Sequence, residues 1–596
     1  MNRLKRTILC ASLLAAPGIG AAQNLDLNVS GGSDDLRSEL KDAMSLFALQ
    51  DSEKATPQAL IAAAQADYSR IVAALYDGGR FSPVVSIRID GREAAGISPF
   101  EAPGSIANIV IDIDPGPRFR FGRAEIAPLA EGTELPETFQ TGARAGTTPI
   151  REAVDAGVSG WRNVGHAKAR LDEQQITADH PNRELDVRLD LAPGPRLRFG
   201  DIVVTGNDRV RRTRIREIAG LPQGGVFDPE EISEAERRLR QTGVFSSVAI
   251  SEAEDPNADG TLDLALQVAE QKPRRFGFGA EISTQEGGKL SAFWLHRNLF
   301  QGAERLRIEG EIGGIGTDED EMDYSLILTY GRPATFTPDT EFYLTAEIEQ
   351  LNEPGYSSNQ ASISSGLTHR FSDQLTATFG LGYRYIDTDD AFGERDFQLL
   401  TANLGATYDT RDSTLNPTGG YYLSATGTPF LGLDDTESGL RFTSDARAYF
   451  GFGAEDRFVL AGRAQIGTIW GPSLEDTVPD YLFYSGGGGT VRGQAYESLG
   501  VTLDNGEFTG GQSFAGISAE LRASVRENIG LVGFYDAGMI TDESGFAGES
   551  DWHAGAGVGL RYNTGIGPIR VDLATPVTGD EAGQAYELYI GIGQAF

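Results

Sequence analysis

From Arg274 to the last residue, apolar and polar side chains alternate with a period of two. Leu375, Ala377, Phe379, Leu381, Tyr383 and Tyr385 alternate with Thr376, Thr378, Gly380, Gly382 and Arg384. Tyr324, Leu326, Leu328 and Tyr330 do so with Ser325, Ile327 and Thr329, and Trp552 to Tyr562 repeat the pattern with His553, Gly555, Gly557, Gly559 and Arg561 between them. The pattern predicts sixteen strands, the first near 275–284, the seventh and eighth at 374–386 and 396–409, and the last at 585–596. One face is apolar with aromatic ends, and the other is small or polar. A soluble sandwich would turn the polar face to outside water, whereas a membrane barrel lines a wet lumen with it. The even strand number suits a closed antiparallel barrel over 273–596. With the N-terminus in the periplasm, connections after odd strands are extracellular. Those at 317–321, 387–396, 434–437 and 541–551 are acidic or long, and they read as solvated charge rather than cation sites.

The first half follows another rule. Pro115-Gly116-Pro117-Arg118-Phe119-Arg120-Phe121-Gly122 returns 78 residues later as Pro193-Gly194-Pro195-Arg196-Leu197-Arg198-Phe199-Gly200. A weaker echo, Lys272-Pro273-Arg274-Arg275-Phe276-Gly277, follows after 77 more. Such a period marks tandem small domains, at 24–114, 115–192 and 193–270. Each is predicted as strand, helix, helix, strand, strand. The third places helices at 209–219 and 229–241, the latter with Ile232, Ala235 and Leu239 on one face. Each second helix ends at a glycine: Gly79, Gly165 and Gly243.

At the N-terminus, Arg3, Lys5 and Arg6 precede a short apolar run to Ala16, and Gly20-Ala21-Ala22 offers small residues to a signal peptidase, so 1–22 reads as a cleavable signal. Cys10, the only cysteine, lies within it, which leaves no thiol for a disulfide or metal in the mature chain. No cofactor is expected. A net charge of −35 excludes nucleic acid as a partner, because phosphate binding needs clustered cations. The 75 glycines, with 30 Phe and 19 Tyr, favour a barrel over a soluble periplasmic chain. The five histidines, His166, His180, His296, His369 and His553, are scattered without metal-ligand spacing. His553 faces the lumen in this register, with no Ser or Asp assignable as its partner, so no catalytic residue and no enzyme is predicted.

The longest connection, 469–512, holds Gly486-Gly487-Gly488-Gly489-Thr490-Val491-Arg492-Gly493-Gln494. Without a strand–loop–helix context it is no phosphate cradle. Val491-Arg492-Gly493 instead resembles the Val-Arg-Gly-aromatic signature of the BamA/TamA superfamily, with Gln494 where the family has an aromatic. Asp409-Thr410-Arg411-Asp412 with Asn416, Pro417 and Gly419, Ser518-Ala519-Glu520, Phe534-Tyr535-Asp536-Ala537-Gly538 and Gly567-Pro568-Ile569-Arg570-Val571-Asp572 resemble its other motifs. The repeats resemble POTRA domains. Tyr586, Leu588, Ile590, Ile592 and the terminal Phe596 look like the signal by which barrels are recognised for assembly.

The resemblance implies an all-β, 16-stranded transmembrane barrel behind three α/β POTRA domains. Three repeats favour the TamA branch over BamA or a two-partner-secretion transporter. The implied role is to aid insertion or secretion of outer-membrane proteins such as autotransporters, with unfolded clients, outer-membrane lipids and a TamB-like periplasm-spanning partner. POTRA edges would bind by strand addition, and a weak seam between first and last strands would lower the insertion barrier. Gly277, Gly279, Gly591 and Gly593 fit either that seam or lumen space. Loop six is expected to fold inward, with Arg492 forked between Glu520 and Asp536, the lumen-facing carboxylates. A two-partner-secretion or porin-like channel is the rival reading.

Overall fold

A computed structural model describes residues 24–50, 52, 55–98, 100, 102–283, 287–316, 322–526, 528–565, 567–579 and 582–596. The proposed signal at 1–22 and the connection at 317–321 lie outside the described residues. The chain forms two compact units: residues up to 201 with 222–231 and 253–263, and residues 202–221 and 232–252 with 264–596.

The first repeat comprises β1 (Asn24–Val29), α1 (Asp34–Ala43), α2 (Ser45–Gln50), α3 (Pro57–Asp77), β2 (Val84–Ile89), β3 (Arg92–Glu93) and β4 (Asn108–Asp114), with sheet order β1-β4-β2-β3. Helix α3 starts where Thr56 accepts a hydrogen bond from the Ala59 N–H, with Pro57 in its first turn. Its buried face, Leu60, Ile61, Ala64, Ile71 and Leu75, joins the core formed with Ile87, Ile109 and Ile111.

The second repeat comprises β5 (Arg120–Ala127), α4 (Thr147–Asn163), β6 (Arg170–Asp179) and β7 (Glu184–Ala192), ordered β5-β7-β6. The third comprises β8 (Arg198–Thr205), α5 (Arg212–Ala219), α6 (Pro229–Gln241), β9 (Phe245–Glu252) and β10 (Thr261–Glu270), ordered β8-β10-β9. The expected two helices per repeat therefore occur only in the third. The first has three. The second has one, because Pro128 and Pro136, with Gly132 and Gly142 at φ +79° and +86°, interrupt the stretch before α4.

Repeats one and two are joined by exchanged helix caps. Helix α4 begins at Gly146, which has no side chain to cap it. Asp77, the last residue of α3, serves instead: its carboxylate accepts from the Thr148 N–H at 2.8 Å and the Thr147 Oγ at 3.0 Å. Arg144 returns the favour by donating to the Gly78 carbonyl from Nη2 at 2.7 Å. Gly79 has φ +75°, and a Cβ there would sit 2.3 Å from the Ala145 carbonyl oxygen.

The second unit holds sixteen antiparallel strands: β11 (Arg274–Ser283), β12 (Gly287–His296), β13 (Arg305–Ile315), β14 (Tyr324–Arg332), β15 (Thr340–Glu353), β16 (Tyr356–Arg370), β17 (Leu375–Asp390), β18 (Gly393–Asp409), β19 (Gly419–Gly432), β20 (Gly439–Phe452), β21 (Phe458–Trp470), then, past the short hairpin β22 (Val501–Thr502) and β23 (Phe508–Thr509), β24 (Ser513–Arg526), β25 (Ile529–Thr541), β26 (Ser550–Thr564), β27 (Gly567–Pro576) and β28 (Glu587–Ile592). Two departures matter. The acidic stretch 387–396 is not a loop: β17 and β18 pair all the way from Leu375↔Tyr408 to Asp390↔Gly393, since Asp387, Thr388 and Asp389 keep extended backbones opposite Asp396, Arg395 and Glu394. The last strand, in contrast, ends at Ile592. It pairs with β27 only from Ile569↔Ile592 to Ala574↔Glu587, and no ladder joins β28 to β11 among the described residues.

Within the same unit, α6 is tied to two barrel turns. Arg238 forks onto Asp339 at 2.9 and 2.8 Å, and Arg370 reaches Asp339 at 2.6 Å and also pairs with Glu234. Arg237 meets Asp373 at 2.8 Å.

The hydrogen bond from Thr148 holds the Asp77 carboxyl below its usual range. A depressed carboxylate stabilises above its unfolded pKa of about 3.9, and that contribution is lost as pH falls through the folded value. Asp77→Ala is expected to cost about 0.5–1 kcal/mol at pH 7, the low end for a lost cap, because the site is exposed. Urea unfolding of both proteins at pH 7 and pH 3 checks this; an equal deficit at both pH values would remove the carboxylate from the account.

Candidate functional site

The connection 471–512 does not stay outside. Val478, Tyr481, Leu482 and Phe483 are buried against Phe397, Leu399, Phe430, Ile469, Phe514 and Ile540, which point into the lumen from β18, β19, β21, β24 and β25. Burying these large side chains supplies the drive for an inward fold, at about 1.5–3 kcal/mol each. The glycine-rich run then reverses the chain: Gly486 has φ +120°, and the Gly487 N–H donates to the Gln494 carbonyl at 3.1 Å. Thr490 closes the turn onto both backbone groups of Gly486. The tip of this reversal is Val491-Arg492-Gly493.

Arg492 is 2% exposed. Its Nε and Nη2 donate to the two oxygens of Asp536 at 2.7 and 3.0 Å, and its Nη1 donates to Glu520 at 2.7 Å and Asp572 at 3.3 Å. Its guanidinium carbon lies 3.6 Å from the centre of the Phe534 ring. Thus Val491, Arg492, Gly493, Glu520 and Asp536 come together in the structure. Sequence reasoning missed a third carboxylate, Asp572, and the two arginines that balance the charge: Arg522, donating to Glu520 at 2.8 Å, and Arg561, paired with Asp572. The signal was present, since Arg522 and Asp572 occupy the lumen parity of β24 and β27.

Three glycines of β26 make room for the tip and for the side chains that surround it. A Cβ on Gly555 would lie 1.9 Å from the Arg492 carbonyl oxygen, one on Gly557 would lie 2.4 Å from Phe534, and one on Gly559 would meet Asp572. Gln494, standing where the family has an aromatic, donates to the Ala554 carbonyl at 2.8 Å; Phe534 supplies the stacking. His553 has a partner that sequence could not assign, Ser485 Oγ at 2.8 Å. Among the described residues no carboxylate is hydrogen-bonded to His553, and no group of three or more His, Asp and Glu is arranged for a metal ion.

The last strand is held from inside. The Gly493 N–H donates to Tyr589 Oη at 3.0 Å. Tyr586, Leu588, Ile590 and Ile592 face outward and are exposed. Phe596 does not continue their alternation, contrary to the expectation of a strand to residue 596. Gly593 turns the chain at φ +93°, the Gln594 N–H donates to the Leu415 carbonyl, and Phe596 is buried beside Tyr449 with its carbonyl oxygen 3.1 Å from Arg522 Nη2. Gly277 and Gly279 leave space for Phe293 and Ser291 of the neighbouring strand, as lumen-side glycines do.

Comparison with known proteins gives two family matches. Residues 298–596 match the Omp85 superfamily domain, and residues 197–271 match the surface antigen variable number repeat, the POTRA family. Curated relatives include the outer membrane protein assembly factors BamA of Nitratidesulfovibrio vulgaris, 24% identical over 73% of this chain and 56% of that protein, and of Neisseria meningitidis serogroup B, 23% identical over 77% and 61%. The chain thus spans little more than half the length of these relatives. Among solved structures, BamA from Haemophilus ducreyi lacking POTRA domains 1-3 aligns with TM-score 0.60 at 18% identity, covering 79% of this chain and 98% of that one. CdiB from Acinetobacter baumannii aligns with TM-score 0.50 at 14% identity, covering 79% and 88%.

A charge so fully enclosed makes the loss of one member costly. Arg492→Ala is expected to destabilise the barrel by about 3–5 kcal/mol, because Asp536 is left buried without a cation and Glu520 and Asp572 each lose one of theirs. Arg492→Lys should recover little of this, since an ammonium cannot fork onto Asp536 while reaching Glu520. Unfolding in detergent micelles of Arg492→Ala, Asp536→Ala and the double variant measures the coupling. Additive effects would mean that the two residues do not act as a pair.

Proposed function

The chain belongs to the Omp85 superfamily, and from that we propose that it sits in the bacterial outer membrane with its three repeats in the periplasm and works there, without enzymatic chemistry, to assemble or export outer-membrane proteins. The observation that carries the reading is the short ladder of β28. A strand paired over six residues on one side, with β11 unladdered on the other, leaves backbone donors and acceptors that an incoming strand can complete. No nucleotide is needed, since burying apolar strands in lipid and closing their hydrogen bonds is itself downhill. The arm would gather unfolded clients by strand addition. Three repeats support a TamA-like role with a TamB-like periplasm-spanning partner, and autotransporters as clients. The terminal strand, with Phe596, would serve as this chain's own recognition signal before folding hides the ring in the lumen.

Deleting the gene in its host is expected to lower the amounts of a subset of outer-membrane barrels, measured by quantitative proteomics of the outer membrane. Complementation by the wild-type chain should restore them, and Arg492→Ala should not. An unchanged outer-membrane profile, together with a large stable single-channel conductance of the purified chain, would favour a porin instead. Separately, deletion of Phe596 is expected to reduce the yield of folded chain in the membrane, read by heat-modifiable gel mobility. Normal yield would remove the signal role from that residue.

A further inference from the structure

In a chain of net charge −35, the outward face where β11 begins sets an arginine beside aromatic rings. On β11, Phe276 and Phe278 point outward, at 67% and 86% exposure. Arg274 precedes Phe276 by two residues and shares its face. The ladder partner of Arg274 is His296 on β12, two residues beyond Trp294 on the same outward face; the Trp294 and His296 rings lie 6.0 Å apart. The segment carrying Arg209, ahead of α5, lies at the same end: the Arg209 N–H donates to Glu270, four residues before Arg274, at 2.9 Å, and the Arg211 N–H donates to the carbonyl of Gln301, next to Phe300, at 3.0 Å. All of these residues belong to the second compact unit.

The carboxylates at hand do not neutralise the group. No ion pair to Arg274 occurs among the described residues. Glu270 directs one oxygen to three backbone N–H groups, those of Asp208, Arg209 and Val210. Asp208 is 3.7 Å from Arg209, with both side chains more than half exposed, so water screens the pair. Arg274 and Arg209 thus keep their charges at the same end of the sheet, and an anion lying between them would relieve their mutual repulsion.

The vertical order along β11 and β12 says which anion. Outward Phe278 and Leu290 come first, then Phe276 and Trp294, then Arg274 and His296, with exposed Phe300 just beyond β12. Apolar, aromatic, cationic is the order in which a bilayer presents tails, interface and headgroup phosphates. We propose that Arg274 and Arg209 bind the phosphate of an anionic phospholipid in the periplasmic leaflet, at the foot of the first two barrel strands. Trp294 and Phe300 flank its glycerol region. The site rests on the membrane reading above. Its place matters, because β11 is the strand without a ladder to β28: a lipid held there stands at the opening through which a client strand would pass.

The test uses the full chain folded in detergent micelles. Native mass spectrometry counts bound phosphatidylglycerol and phosphatidylcholine supplied in equal amounts, and repeats the count with inorganic phosphate as competitor. The wild type is expected to prefer the first phosphatidylglycerol on the order of tenfold. The preference should vanish in the Arg209→Gln/Arg274→Gln double variant and persist in Arg92→Gln, a change in the first repeat. Should the double variant misfold by heat-modifiable mobility, Arg209→Gln alone, outside the barrel strands, takes its place and is expected to lose most of the preference. Equal binding of both lipids by the wild type, or a preference that survives the substitutions, overturns the site. Displacement by millimolar inorganic phosphate would make it a free-anion site and overturn the lipid assignment. A chain that never inserts into lipid vesicles would instead defeat the membrane reading.

Discussion

A guanidinium 2% exposed inside a barrel must be surrounded by groups that replace its water, and the inner wall from β24 to β27 is built to that requirement. Asp536 accepts with both oxygens from Nε and Nη2, Glu520 and Asp572 accept from Nη1, and Phe534 covers one face. The carboxylates then need cations of their own, which Arg522 and Arg561 provide. The network therefore extends until charge is balanced, from the tip of loop six to the penultimate strand. Such an arrangement contributes little net stability compared with an apolar core. What it specifies is position: the loop tip fits at one height and in one orientation, Gly555 clears the space of its backbone, and Gly557 and Gly559 clear that of Phe534 and Asp572 around it.

The same network reaches the last strand. Arg522 holds the Phe596 carbonyl oxygen, Arg561 donates to Gln594 at 2.7 Å, and the loop tip donates to Tyr589. The strand with the shortest ladder in the sheet thus gains part of its hold from the lumen rather than from its neighbours. Breaking the arginine cluster would loosen loop six and β28 together, which couples the inward-folded connection to the seam.

Much of this was legible in the sequence, and the limits have a physical cause. A period of two tells which face a residue takes, so Glu520, Asp536 and Arg492 could be brought together from parity and from the inward-folded loop implied by the resemblance. Parity does not tell height, because the stagger between neighbouring strands is set by pairing register. Asp572, 80 residues from Arg492, stands in a recognisable motif, but sequence alone does not assign it as a partner for that reason. Phe596 was placed on an alternating strand, and a single left-handed glycine before it was enough to send it inward. The run-on of β17 and β18 was hidden by acidic residues that read as a loop; they are extended because both strands pair to their ends. In the arm, the period of the repeats carried no information about what lay between them, and two prolines with two glycines replaced a helix in the second repeat.

The strands differ greatly in reach. β18 has 17 residues and β16 has 15, while β28 has six. At about 3.3 Å per residue the longest extends roughly 55 Å, or about 42 Å upright after a tilt near 40°, against an apolar band of about 25 Å. In the proposed membrane setting the surplus would stand outside the bilayer, and over that stretch the outward side chains change from Leu381 and Tyr385 to Asp387 and Asp389, and from Leu400 to Asp396 and Glu394. The barrel rim is consequently lopsided, a hydrated parapet over β15–β18 that drops toward β28. In the proposed orientation, anything arriving from outside the cell would meet that parapet first, and the low side of the rim would lie over the seam.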